Sequence, residues 1–278
     1  MTTAKMRLRD LMILAGAASL LALAPAFAAS GTTPEARTAA RLDAIVHDRA
    51  QLRLFLKAMP KGGDLHNHLW GAPYAEDFLA WAAEAGQCVT TTQKPQIVGG
   101  PCDGVGKVSA KDLGSRDLGL YNRAIDALSV RNYSPGADGA AASGHDQFFA
   151  TFGRFAASAV GNMGPMIAVT RDYAAGDHVS YVESSSNPNA MRAFAVAGQG
   201  AWDGDFEHSL ARLTPGLPAM VVETRREMDA ALAEADRRQG CEPGAAAKAG
   251  PCQVVLGFQS FVERAQPPGF VFAQMLAA

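Results

Sequence analysis

The stretch Met59-Pro60-Lys61-Gly62-Gly63-Asp64-Leu65-His66-Asn67-His68-Leu69-Trp70-Gly71-Ala72 limits what this chain can fold into more than any other. Pro60 and the pair Gly62 and Gly63 end a preceding helix and let the backbone turn sharply. Gly71 and Ala72 follow where a strand must release into the next helix, so the run between reads as a short strand. Side chains alternate along a strand, so His66 and His68 project to one side, close enough to hold one metal ion, and Asp64 joins them there. Neutral imidazole is a good ligand for zinc, and a catalytic zinc usually takes three protein ligands and leaves a fourth position for water. The pair is therefore half a site. A chain with six histidines also produces His-x-His by chance, and two polar residues on an exposed strand would have the same spacing.

The surroundings of the pair are more specific. Met59-Pro60-Lys61, then small residues, then Leu65-His66-x-His68 resembles the first barrel strand of the adenosine deaminase family. The likeness is to its secreted branch, the adenosine deaminase-related growth factors and their bacterial relatives. The resemblance implies a (β/α)8 TIM barrel, Zn2+ bound by His66 and His68, and hydrolytic deamination of adenosine or a related purine nucleoside. In that chemistry activated water attacks C6 of the base and ammonia leaves. Asp64 would then be an orienting group behind the ligands or a polar residue in the lower barrel layer. Trp70 stands where many family members carry an acidic residue, a departure at a point that bears on sugar recognition.

Before this motif lie two further features. Lys5, Arg7 and Arg9 precede an apolar run from Leu11 to Leu23, and Ala26-Phe27-Ala28 offers a small-x-small cleavage site. That is the three-part pattern of a secretory signal peptide over residues 1–28, which places the mature chain in the periplasm or outside the cell. No cysteine follows the cleavage site and no later segment is long and apolar enough to span a membrane. Residues 29–60 then read as one amphipathic amino-terminal helix. Thr33 caps it, Pro34 occupies its first turn, and Leu42, Ile45, Leu52, Phe55 and Met59 recur at helical spacing. In the growth-factor branch such helices serve dimerisation, so the resemblance permits a homodimer. A formal net charge of −2, with 19% charged residues, gives no electrostatic reason to expect nucleic acid or an acidic membrane as partner.

Residues 61–278 read as one domain. A helix is expected over Tyr74 to Ala85, others around Leu118 to Leu128 and Asp146 to Val160, and a further one over Met220 to Arg238. The helix over Asp146 to Val160 carries Phe148, Phe152 and Phe155 along one stripe with Phe149 beside it. A stripe of this kind is usually core. The family resemblance offers a different role, with Phe148 and Phe152 forming an apolar lid over a substrate pocket and Trp70 lining it. Four cysteines in an exported chain point to disulfides. Of the three possible pairings, Cys88 with Cys102 and Cys241 with Cys252 close loops already marked by glycine and proline.

Two more strands are legible, Val179 to Ser184 and Gln253 to Phe261, resembling the family's second and third barrel strands. Glu183 falls on one face with Tyr181 and reads as a packed or hydrogen-bonded polar residue rather than a ligand. His178 lies at the wrong end of its strand for barrel chemistry. The three strands should lie parallel and in chain order, with helices covering one face. A (β/α)8 domain needs about 250 residues with short loops, yet here the first connection alone runs from 70 to 178. No His-Ala-Gly-Glu, His-Cys-Pro or Asp-Asp-Pro run occurs, so the family's acid and base residues have no counterpart. The expectation is an incomplete barrel, an amino-terminal piece of a deaminase that is inactive as written. The alternatives are a non-catalytic secreted product that binds or dimerises, and a different amidohydrolase with a His-x-His first strand.

Overall fold

A computed structural model describes residues 33–137, 141–242 and 250–278. The expected signal peptide, residues 1–28, lies outside the described residues. The chain separates into two compact units, Met1–Lys57 and Ala58–Ala278.

The expected single amino-terminal helix is two. Helix α1 spans Pro34–Ile45, opened by the Thr33 hydroxyl accepting from the Ala36 N–H at 3.2 Å. Helix α2 spans Arg49–Ala58. The break comes at Asp48, whose carboxylate accepts from the N–H groups of both Ala50 and Gln51 at 3.1 Å. An aspartate offers the backbone a cap more readily than it tolerates a helix interior, so it starts a second helix where apolar spacing alone would continue the first.

The second unit is built on a three-stranded parallel sheet. Its strands are β1 (Gly62–His68), β5 (Val179–Ser185) and β6 (Val255–Gln259), in the order β1-β5-β6. This is the expected parallel arrangement in chain order. Among the described residues the sheet stays open and closes into no barrel. Gly62, at φ +73°, takes the turn into β1 that a side chain would resist.

Between β1 and β5 the chain forms helix α3 (Ala75–Glu84), then a small antiparallel sheet of β2 (Cys88–Thr90), β3 (Ile97–Val98) and β4 (Lys107–Ser109), ordered β3-β2-β4. Helices α4 (Leu113–Arg116), α5 (Leu118–Leu128), α6 (Gly144–Ala159) and α7 (Met163–Gly176) complete the connection. Between β5 and β6 lie α8 (Asn189–Ala201), α9 (Phe206–Leu213) and the long α10 (Leu217–Gln239), and α11 (Pro268–Ala277) follows β6.

Helices pack one face of the parallel sheet. Strand alternation puts Val182, Ser184, Leu256 and Phe258 on that face, where Leu256 and Phe258 meet a core of Leu69, Phe78, Trp81, Leu120, Phe155 and Met166. At its centre the Phe78 and Phe155 rings stack at 4.2 Å, and burial of each such side chain contributes about 1.5–3 kcal/mol. The opposite face carries Gly63, Tyr181, Glu183, Val255 and Gly257. It is open to solvent, with Leu65 71% and Val255 60% exposed.

Both expected disulfides are present. Cys88–Cys102 ties β2 to the loop after β3, and Cys241–Cys252 ties the end of α10 to the turn before β6. Bonds of this kind persist in oxidising compartments. No described helix is long and apolar enough to cross a membrane.

Candidate metal centre

Strand β1 ends at its carboxyl edge with His68, opposite Ser185 of β5, and a 3-10 turn Leu69–Gly71 carries the chain away. The imidazoles of His66 and His68 lie on one side of the strand, ring centroids 5.1 Å apart and nearly perpendicular. No protein group among the described residues hydrogen-bonds to either ring, so their nitrogens remain available as ligands. Burial, and then the neighbouring His66, hold the His68 pKa below the usual histidine value. A neutral imidazole at neutral pH is the form that binds metal.

The strand is not regular. Asp64 stands opposite Val182 and Asn67 opposite Ser184, so β1 takes three steps where β5 takes two, a bulge at Leu65 and His66. The consequence is a correction to the alternation expected from the sequence: Asp64 does not share the face of the histidines. It turns with Asn67 to the helix side, lining a cavity of about 190 Å³ with Thr170, Tyr173 and Ala174. There its carboxylate accepts from the His66 N–H at 3.1 Å and from the Asn67 side-chain amide at 3.2 Å.

Around the pair the structure adds one residue with no motif to announce it. The Phe261 ring meets His68 edge-on at 5.3 Å. It is held there by Asn187, whose amide donates to the Phe261 carbonyl at 2.8 Å and accepts from its N–H at 3.2 Å. On the open face the Tyr181 hydroxyl donates to Glu183, over the position where Gly257 leaves room. His178 opens β5 at the far end with φ +58°, His145 lies beside Asp146, and His208 pairs with Asp203 at 2.6 Å. These three do not join the site.

Trp70 is half-buried, packed against the main core, and lines a cleft of about 230 Å³ with Met163, Asn187, Arg192 and Glu234. The phenylalanine stripe divides. Phe155 is core, whereas Phe148 is 44% exposed and Phe152 is half-buried beside Gly71, where an added Cβ would lie 3.7 Å from its ring. Phe148 and Phe152 meet edge-to-face at 5.2 Å.

Two imidazoles with free nitrogens on one face suit zinc, but among the described residues no group of three or more histidine, cysteine, aspartate or glutamate side chains could hold a metal ion. The fit is to two ligands. What the structure defines is a mixed α/β protein with a histidine pair at the carboxyl end of an open parallel sheet. Comparison with protein-family models, with curated proteins and with solved structures found no match to this chain.

Proposed function

We propose that this chain carries the first three β/α units of a (β/α)8 barrel and two zinc ligands of a hydrolase that deaminates adenosine or a related purine nucleoside. The observation that carries the proposal is the placement of His66 and His68 together at the carboxyl end of the first of three parallel strands. That end is where barrel enzymes build their sites. The sequence Met59-Pro60-Lys61 through His68 supplies the resemblance to deaminases. A zinc ion bound there would lower the pKa of water and make it a nucleophile at neutral pH. His66 and His68 would hold the ion, and Phe261 would shield one flank of His68. The disulfides support a periplasmic or secreted location.

Among the described residues no group of three or more side chains could hold a metal ion, and the sequence has no His-Ala-Gly-Glu run to supply the family's acid. General acid-base help of about 10² to 10⁴-fold is therefore missing, and the chain as written is expected to lack an enzymatic rate. That same observation favours the second reading, a non-catalytic binding product. The test follows adenosine absorbance with purified, zinc-supplemented chain beside His66→Ala and His68→Ala variants, together with the reading frame after the Ala278 codon. A downstream frame encoding a His-Ala-Gly-Glu type motif supports the deaminase. Its absence leaves the binding reading, and robust turnover by this chain alone would contradict the account of its missing groups.

A further inference from the structure

The bulge in β1 sits immediately before the residues whose direction matters most. From Asn67 onward the register is simple: Asn67 opposes Ser184 on the helix side and His68 opposes Ser185 on the open side. A slip of one residue would exchange these faces and turn His68 into the helix layer. Something must therefore hold the extra residue in place. A bulge also takes a backbone N–H out of the sheet ladder, and a polar group must receive it. In β1 both tasks fall to one side chain. Asp64 Oδ1 accepts from the His66 N–H at 3.1 Å, and Oδ2 accepts from Asn67 Nδ2 at 3.2 Å, so a single carboxylate spans the bulge from either side.

We propose that Asp64 is a positioning residue: its carboxylate clamps the Leu65–His66 bulge and thereby keeps both imidazoles on the open face in metal-binding geometry. The proposal rests on the reading of His66 and His68 as ligands. It assigns Asp64 a role through backbone geometry, with the carboxylate on the helix side of the sheet and so away from the metal. What matters is then an acceptor for the His66 N–H, and the charge is secondary. This distinction makes a sharp comparison available. Asn67 Oδ1 is buried without a hydrogen-bond partner among the described residues. In Asp64→Asn the remaining amide oxygen still accepts the His66 N–H, and its NH2 donates to Asn67 Oδ1 once the Asn67 amide turns over. Asp64→Ala removes the acceptor altogether.

The experiment compares the wild-type chain with Asp64→Ala and Asp64→Asn in two measurements. Zinc affinity is read by competition with a chromophoric chelator, and exchange of the His66 amide hydrogen is read by NMR in the metal-free chain. The expected result is a loss of roughly 10- to 100-fold in zinc affinity for Asp64→Ala, the range seen when groups supporting metal ligands are removed. The His66 amide should exchange faster in the same variant, while Asp64→Asn keeps both properties near wild type. Wild-type affinity in Asp64→Ala would overturn the proposal. So would an Asp64→Asn variant as weak as Asp64→Ala, since charge would then be the operative property. If the wild-type chain binds no zinc, the metal reading fails, while unchanged His66 exchange in Asp64→Ala would separately refute the clamp. If Asp64→Ala does not fold, the Asp64→Asn comparison still decides between acceptor and charge.

Discussion

Helix α8 follows β5 and α11 follows β6, and the two helices meet more closely than side chains normally allow. An added Cβ at Gly198 would stand 2.2 Å from the Ala273 Cβ and 2.8 Å from the Gly269 carbonyl oxygen. Carbon atoms pack at about 3.5–4.0 Å, so Gly198→Ala requires the helices to separate by more than about 1 Å. Overpacking of this kind costs about 1–3 kcal/mol, and a contact against another backbone belongs at the upper end. Replacing glycine by alanine in a helix returns about 1 kcal/mol. The net expectation is a loss of about 2 kcal/mol, or about 4–8 °C in Tm for a domain of this size. Gly153, exposed in the middle of α6, has no neighbour within 4 Å of its added Cβ. Gly153→Ala should therefore stabilise by up to about 1 kcal/mol. Thermal and urea denaturation under non-reducing conditions measure both variants. A Gly198→Ala chain as stable as the wild type would refute the close packing of the two helices.

Non-reducing peptide mapping should recover the Cys88–Cys102 and Cys241–Cys252 peptides and no cross-loop pair, and reduction of either bond should cost about 2–4 kcal/mol. Phe155→Ala should destabilise by about 3–5 kcal/mol because its ring is stacked in the core, whereas Phe148→Ala, on the exposed part of the same helix, should change stability by no more than about 0.5 kcal/mol; urea midpoints check both. Burial, and then the hydrogen bond to Asp77 at 2.5 Å, raise the Tyr173 pKa above the ordinary phenol value. The folded state thus holds this proton more tightly than the unfolded chain. The resulting stability is fully present below about pH 10 and is lost as pH rises from there toward the raised folded value. Tyr173→Phe should remove that alkaline component, read as midpoint against pH.

Periodicity carried most of the second unit into view. The helix Leu118–Leu128 announces itself through apolar spacing because it buries one continuous face, whereas the strand Val179–Ser185 was legible from its likeness to a barrel strand. The failures share a cause. Asp48 splits the amino-terminal helix and Asp64 bulges β1 by bonding to nearby backbone N–H groups, and a pattern of apolar and polar residues does not register such bonds. Both aspartates precede by two residues the amide they cap, the Asx signature that would have exposed them. The strands β2, β3 and β4 have two or three residues each, too few for alternation to show. At the candidate site the histidine pair was legible because two residues of one type stood at strand spacing. Phe261 was not, since only the pairing of β5 with β6 and the Asn187 tether bring it beside His68.

The account stands on two imidazoles acting as ligands, and X-ray absorption at the zinc edge of the zinc-loaded chain tests that directly. It predicts a nitrogen shell near 2.0–2.1 Å with the multiple-scattering signature of two imidazoles. That signature should be lost together with tight binding in the His66→Ala/His68→Ala double variant, while far-UV circular dichroism stays unchanged. Zinc bound equally well by the double variant, or no zinc held by the wild-type chain, would contradict it.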